Sequence, residues 1–85
     1  MALENMDVRK RFETFLSKSP PKIILGNPVK KIIAIDGIKL RLGRCHWIMF
    51  RFSGTEPLLR IYCEAPSKEE VKRTLDWAEK MVNEI

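Results

Sequence analysis

Hydrophobic residues recur along this chain with two different periods, and the changes of period mark its elements. Over residues 5–18, Val8, Phe12, Phe15 and Leu16 fall at helical spacing, with Arg9, Lys10, Arg11 and Glu13 mostly elsewhere. That spacing predicts an amphipathic helix, with Asn5 or Asp7 as its cap. Ser19-Pro20-Pro21 ends it, because proline cannot continue a helix and pushes the residue before it into extended geometry. From residue 32 the period drops to two. Ile32–Ile35 and Ile38–Leu42 are joined by Asp36-Gly37, the dipeptide that most readily supplies the two positive φ angles of a tight primed turn. In the second of these strands Ile38, Leu40 and Leu42 share one face, and Lys39 and Arg41 the other. Gly43-Arg44 turns the chain into a third strand, residues 47–52, with Ile48, Phe50 and Phe52 toward the core and Trp47, Met49 and Arg51 away from it. A fourth, residues 58–64, divides into Leu59, Ile61 and Cys63 against Leu58, Arg60 and Tyr62.

Ser67-Lys68-Glu69-Glu70 has the form of a capping box. Val71, Leu75, Ala78, Val82 and Ile85, widened by Trp77 and Met81, then form the apolar stripe of a second helix, and that stripe needs a sheet to cover. Residues 22–30 carry no clear period: Ile23-Ile24-Leu25 reads as a short strand or an apolar loop, and Gly26-Asn27-Pro28 as a turn. Two helices on one face of four antiparallel strands make a two-layer α+β sandwich. Residues 1–85 suffice for a single domain with a modest core.

Composition changes this picture little. With 45% hydrophobic and 32% charged residues, the chain reads as an ordinary globule, and no apolar run approaches the roughly 18 residues of a membrane span. Charge follows Met1-Ala2-Leu3 where a secretory signal would be apolar, so a cytoplasmic location with no membrane partner is expected. Cys45 and Cys63 are too few for a disulfide framework, and Cys45-His46 with Cys63 lacks a fourth zinc ligand; both cysteines read as reduced packing groups. The net charge of +5 is uneven. Residues 9–51 carry eleven Lys or Arg against Glu13 and Asp36, a balance of +9, and residues 52–85 carry five against seven, a balance of −2. An anionic partner near the basic half follows.

The candidate chemistry lies between the third and fourth strands, in Arg51-Phe52-Ser53-Gly54-Thr55-Glu56-Pro57-Leu58-Leu59-Arg60. Gly54 permits a positive φ or the close approach of a ligand, and Ser53 and Thr55 offer hydroxyls to an oxyanion. Arg51 and Arg60 bracket the loop, and inward-turned backbone N–H groups with a guanidinium fork match a phosphate. An ordinary hairpin turn between solvated arginines has the same composition. Glu56 either orients Arg60 across the loop or is solvated. Asp36 fits a turn role better than that of a catalytic acid or base, and His46 fits a surface or edge-strand position. The chain shows no nucleophile with its base, no cluster of metal-binding carboxylates and no helix-opening G-x-x-x-x-G-K-[ST] motif.

Arg51-x-Ser53-Gly54-Thr55-Glu56-Pro57-x-x-Arg60, followed by Tyr62 and Glu64 and preceded by the Asp36-Gly37 hairpin, resembles the C-terminal domain of the α-D-phosphohexomutases, the phosphoglucomutase/phosphomannomutase group. The resemblance covers roughly residues 30–82 and implies a TBP-like sandwich, the last of four domains. Those enzymes interconvert hexose 1-phosphate and hexose 6-phosphate through a phosphorylated serine, a bisphosphorylated sugar and a Mg2+ ion held by an Asp-rich loop. The serine and metal loops are missing here, so the resemblance implies a domain without turnover of its own, partnered by a phosphosugar and by the other domains. Arg51, Ser53, Gly54 and Thr55 match the positions that grip the non-reacting phosphate; Arg60 matches too, in phosphate contact or in support of Glu56. The family's domain usually opens with a strand before its first helix. No strand is legible before residue 5, so either that strand is lacking, leaving a sheet edge free to pair, or Lys22–Leu25 serves instead. The alternative is a single-stranded nucleic-acid module using Lys39, Arg41, Arg51, Arg60, Trp47 and Tyr62 on the open face, although its sheet signature is missing and the Ser-Gly-Thr loop has no role in it. A pure interaction module would need an exposed apolar patch.

Overall fold

A computed structural model of the chain describes residues 2–35 and 37–84. Helix α1, Met6–Lys18, is capped by the Asn5 side chain, which accepts from the Val8 N–H at 3.0 Å. Asp7 in the first turn and Lys18 in the last suit the helix dipole. Helix α2, Lys68–Asn83, is capped by Ser67 Oγ, which accepts from the Glu70 N–H at 3.2 Å. The reciprocal bond of the capping box, from the Glu70 side chain back to Ser67, is not made among the described residues. The buried line of α2 runs through Thr74, Ala78 and Val82, with Val71, Leu75, Trp77 and Met81 half-buried beside it; Ile85, expected at the end of this stripe, lies outside the described residues. Thr74 is tolerated in that line because its hydroxyl donates to the Glu70 carbonyl at 2.7 Å.

Six strands follow α1: β1 (Ile23–Ile24), β2 (Asn27–Pro28), β3 (Lys31–Ile33), β4 (Ile38–Gly43), β5 (His46–Phe52) and β6 (Leu59–Glu64). The last four form an antiparallel sheet in the order β3-β4-β5-β6. Its core face carries Ile38, Leu40, Leu42, Ile48, Phe50 and Leu59, which share one buried cluster with Phe12 and Leu16 of α1 and Ala78 and Val82 of α2. Both helices therefore cover the same face, as the period-two and helical patterns require. The Phe12 ring meets Phe50 edge-on at 5.2 Å and lies 5.9 Å from Phe52, which places α1 over the end of β5 where the Ser-Gly-Thr loop begins.

Residues 22–30 resolve into a small hairpin. Leu25 and Gly26 take φ of 50° and 83°, the two positive angles of a tight primed turn. Asn27 Nδ2 reaches the carbonyls of Ile24 and Leu25, each at 3.3 Å, and Ile24 is fully buried. The hairpin is thus a plug for the core. The β3–β4 connection also departs from expectation. Ile33 stands opposite Lys39 and Ile32 opposite Leu40, whereas a two-residue Asp-Gly turn would set Ile33 opposite Leu40, and a slip of one residue exchanges the faces. Strand β3 stops at Ile33, leaving Ala34 and Ile35 exposed. Asp36 lies outside the described residues. Gly37 adopts φ 132° against the backbone of β5, so it serves that approach. Ahead of α1, the Leu3 N–H donates to the Pro57 carbonyl at 2.7 Å and Ala2 bridges Leu58. No strand precedes α1 among the described residues, but this isolated bridge lies against the start of β6.

A Cβ at Gly37 would stand 2.6 Å from the Phe50 carbonyl oxygen, whereas one at Gly26 would meet nothing within 4 Å. Gly26→Ala carries only the cost of a positive φ, about 1 kcal/mol. Gly37→Ala adds a backbone clash and is expected to cost about 3 kcal/mol. In thermal denaturation followed by circular dichroism that is a fall of roughly 10–20 °C for Gly37→Ala and roughly 5 °C for Gly26→Ala. Equal losses would show that the loop does not press on β5.

Candidate functional site

Strands β5 and β6 pair from Trp47–Glu64 to Phe52–Leu59, with Arg51 opposite Arg60. Because opposed residues share a face, both guanidiniums stand on the open side of the sheet. The ladder closes with the Ser53 N–H donating to the Leu58 carbonyl at 3.0 Å, and the chain between folds into a compact loop. Ser53 Oγ accepts from the N–H groups of Thr55 and Glu56 at 3.4 and 3.3 Å, and the Leu58 N–H donates to the Glu56 carbonyl at 2.7 Å. Pro57 starts the return, its carbonyl held by Leu3. A hollow of about 370 Å³ lies over the loop, bounded by Arg51 and Arg60 and by Ser53, Gly54, Thr55 and Glu56. All five residues singled out in the sequence border this one space.

Its electrostatics are lopsided. Like charges directly opposite one another on a sheet are destabilising, and neither Arg51 nor Arg60 has an ion-pair or hydrogen-bond partner among the described residues; the ion pair found there is Arg9–Glu13 at 3.3 Å. Glu56, one of whose expected roles was to orient Arg60, is exposed and forms no pair with it. Gly54 likewise departs from one expectation. Positive φ among described glycines occurs at Gly26 and Gly37, so Gly54 is not held there, and its missing Cβ faces open space. What remains for Gly54 is room for a ligand to come close. Its N–H makes no hydrogen bond among the described residues, while the bonds into Ser53 Oγ are long and hence weak. Among the described residues, several donors therefore border the hollow unpaired, beside the single carboxylate of Glu56, which pairs with neither arginine.

Arg9 was not singled out in the sequence. From α1 its Nε donates to the Ser53 carbonyl at 2.9 Å, its guanidinium lies 5.5 Å from the centre of the Phe52 ring, and Glu13 neutralises it. The one available signal was its place a turn before Phe12, on the flank of the apolar stripe. A contact spanning 44 residues has no signature in a local pattern.

Elsewhere on the open face Lys39 Nζ sits 4.3 Å above the Trp47 ring, and Trp47 Nε1 donates to Glu64 at 3.1 Å. The indole is clamped from two sides. His46 opens β5, an inner strand rather than an edge, and is half-buried with Nε2 unpartnered. Cys45 is exposed in the β4–β5 turn, so it is no packing group, whereas Cys63 is half-buried. Burial pushes the Cys63 thiol up from its ordinary value, and a hydrogen bond with Thr74 opposes this. Among the described residues no three His, Cys, Asp or Glu side chains come together as a metal site.

Residues 4–80 match the family model described as "Phosphoglucomutase/phosphomannomutase, C-terminal domain", a span that takes in α1 as well as the region of the sequence resemblance. Similar proteins include a "Probable phosphoglucosamine mutase" of Thermococcus gammatolerans, 46% identical over 55 residues, 65% of this chain and 12% of that protein. Another of the same description, from Methanosarcina barkeri, is 37% identical over 70 residues, 82% of this chain and 15% of its own length. A "Phosphopentomutase" of Thermococcus kodakarensis is 33% identical over 61 residues, 72% of this chain and 14% of that protein. The chain thus spans a small part of the relatives it matches.

The two thiols should separate in reactivity. Exposed Cys45 is expected to react with a disulfide reagent at pH 8 about tenfold faster than Cys63, whose raised pKa leaves less thiolate at any pH below it. Mass spectrometry of partly labelled protein identifies the faster site. In denaturant the two rates should converge, and equal rates in the folded protein would contradict the burial of Cys63.

Proposed function

The chain belongs to the phosphoglucomutase/phosphomannomutase C-terminal domain family, and from that premise we propose that it is the phosphate-gripping domain of a phosphohexomutase. That enzyme would interconvert hexose 1-phosphate and hexose 6-phosphate through a phosphoserine and a bisphosphorylated sugar, and this domain would hold the phosphate that is not reacting. The observation that carries the reading is the opposed, unpartnered pair Arg51 and Arg60 at the rim of a hollow lined by the Ser53-Gly54-Thr55 loop. A phosphate seated there removes the repulsion between the guanidiniums. It also accepts from the Gly54 N–H and from the hydroxyls of Ser53 and Thr55, and charged hydrogen bonds of this kind are about twice as strong as neutral ones.

The domain's contribution is orientation. Binding energy from a remote phosphate holds the sugar in line with a nucleophile on another domain, converting a bimolecular step into an effectively unimolecular one. Mg2+ would belong to another domain of that enzyme, as the family resemblance implies. No helix among the described residues is long and apolar enough to cross a membrane. We place the enzyme in the cytoplasm, where an exposed free thiol such as Cys45 stays reduced. The nucleic-acid alternative draws no support from the relatives. Of its two stacking residues, Trp47 is already covered by Lys39 and bound by Glu64, which leaves Tyr62 alone exposed.

In the full enzyme that contains this domain, Arg51→Ala is expected to lower kcat/KM by ten- to a hundredfold, the equivalent of roughly 1.5–3 kcal/mol for one lost charged hydrogen bond. Its melting temperature should stay near wild type, because Arg51 is exposed and leaves no cavity. Gly54→Val should do comparable harm by filling the open approach to the loop amides. The isolated 85-residue chain should turn over no hexose phosphate in a coupled assay. Wild-type kcat/KM in Arg51→Ala, or a loss explained by unfolding, would remove the clamp.

A further inference from the structure

The hollow over the loop is not bordered by Arg9, which instead lines a second depression of about 440 Å³ with Glu13, Gly37 and the other flank of Arg51. Arg9 therefore reaches the loop from behind. Its side chain is only 16% exposed, is neutralised by Glu13 at 3.3 Å, and spends its Nε donor on the Ser53 carbonyl at 2.9 Å. A trans peptide is planar, with its C=O and N–H pointing in opposite directions. Drawing the Ser53 carbonyl toward α1 thus turns the Gly54 N–H away from α1, toward the side of the hollow, where it has no hydrogen-bond partner among the described residues. The same bond fixes the start of the loop, whose Ser53 Oγ gathers the Thr55 and Glu56 amides.

We propose that Arg9 is a positioning residue for the anion site, acting through the Ser53–Gly54 peptide plane and touching no substrate. The inference rests on the phosphate-clamp reading. It adds that the orientation of the loop amides is set from α1, 44 residues away, and that a basic side chain close to the site serves the backbone rather than the ligand. The contact over Phe52 holds the guanidinium in place, and Glu13 keeps its charge from acting on the anion directly.

The test titrates the 15N-labelled chain with inorganic phosphate and follows the Gly54 and Thr55 amides at several salt concentrations, for wild type, Arg9→Met, Arg9→Met with Glu13→Gln, Arg9→Leu, Arg9→Lys and Arg51→Ala. Arg9→Met keeps the apolar stem but removes the donor. It is expected to shift the Gly54 amide before any phosphate is added and to weaken binding about tenfold. The slope of log Kd against log salt is read in Arg9→Met combined with Glu13→Gln, which removes the ion pair without changing the net charge, and should stay at the wild-type value. Arg51→Ala should weaken binding and flatten that slope. Wild-type affinity in Arg9→Met with weakened Arg51→Ala would overturn the positioning role and leave the clamp standing. A slope in that charge-balanced double variant as flat as in Arg51→Ala would mean that Arg9 contacts the anion, which also overturns it. Loop amides that do not respond to phosphate in wild type, or an Arg51→Ala chain that binds as well, would overturn the clamp and Arg9's role with it. If Arg9→Met fails to fold, Arg9→Leu decides: it too lacks any donor, so unchanged affinity and an unchanged Gly54 amide would refute the proposal, whereas Arg9→Lys, whose ammonium can still donate to the Ser53 carbonyl, should fall between it and wild type.

Discussion

The pairing of β5 with β6 is the constraint on which the rest depends. Strand geometry sends alternate side chains to opposite faces, so a single register settles two things together. It buries Ile48, Phe50 and Leu59 under the helices, and it sets Arg51 against Arg60 on the open side. A slip of one residue in β5 would carry Arg51 toward the core and Phe50 out of it, and a slip in β6 would do the same to Arg60 and Leu59, each at a cost far above the mild repulsion between two exposed guanidiniums. The apolar face therefore enforces a charge arrangement that the open face would not choose for itself. Strain of that kind is what an anion relieves.

Around this register the fold works as a mount for one loop. Phe12 against Phe50 and Phe52 fixes α1 over the end of β5, and Arg9 extends that contact to the Ser53 carbonyl. Leu3 and Ala2 hold the other end, at Pro57 and Leu58. The loop is tied at both bases while its tip, Gly54 to Glu56, stays exposed. A site fastened in this way loses little freedom when a ligand binds, which is what preorganisation requires. The small β1–β2 hairpin acts at greater distance, through Ile24, which fills the core beside the sheet.

Much of the fold was legible because its signals are local. The Asn5 and Ser67 caps, the proline stop after α1, the alternation that sends Ile38, Leu40 and Leu42 inward, and the shared face of Arg51 and Arg60 each follow from spacing within a few residues. The loop's composition gave the anion-site expectation on which the proposal rests, and the family match over residues 4–80 agrees with the identity of the domain. Local signals also misled. Asp36-Gly37 invited a two-residue turn, but the β3–β4 register lies one residue from the one such a turn sets, and Gly37 is needed against Phe50. Gly54 was credited with a conformation it does not use.

The sequence by itself determined the two helices, the strands β4 to β6 with their buried faces, and the side chains that the loop offers, because backbone periodicity and side-chain type act over one or two turns of chain. Only the tertiary structure decided that Arg9 holds Ser53, that Ile24 plugs the core, and that Ile32 rather than Ile33 stands opposite Leu40. Each of those is a choice among partners distant in sequence or among registers of similar local merit. Such choices are made by which surfaces remain to be covered once the sheet and helices have packed, and no window of neighbouring residues contains that information.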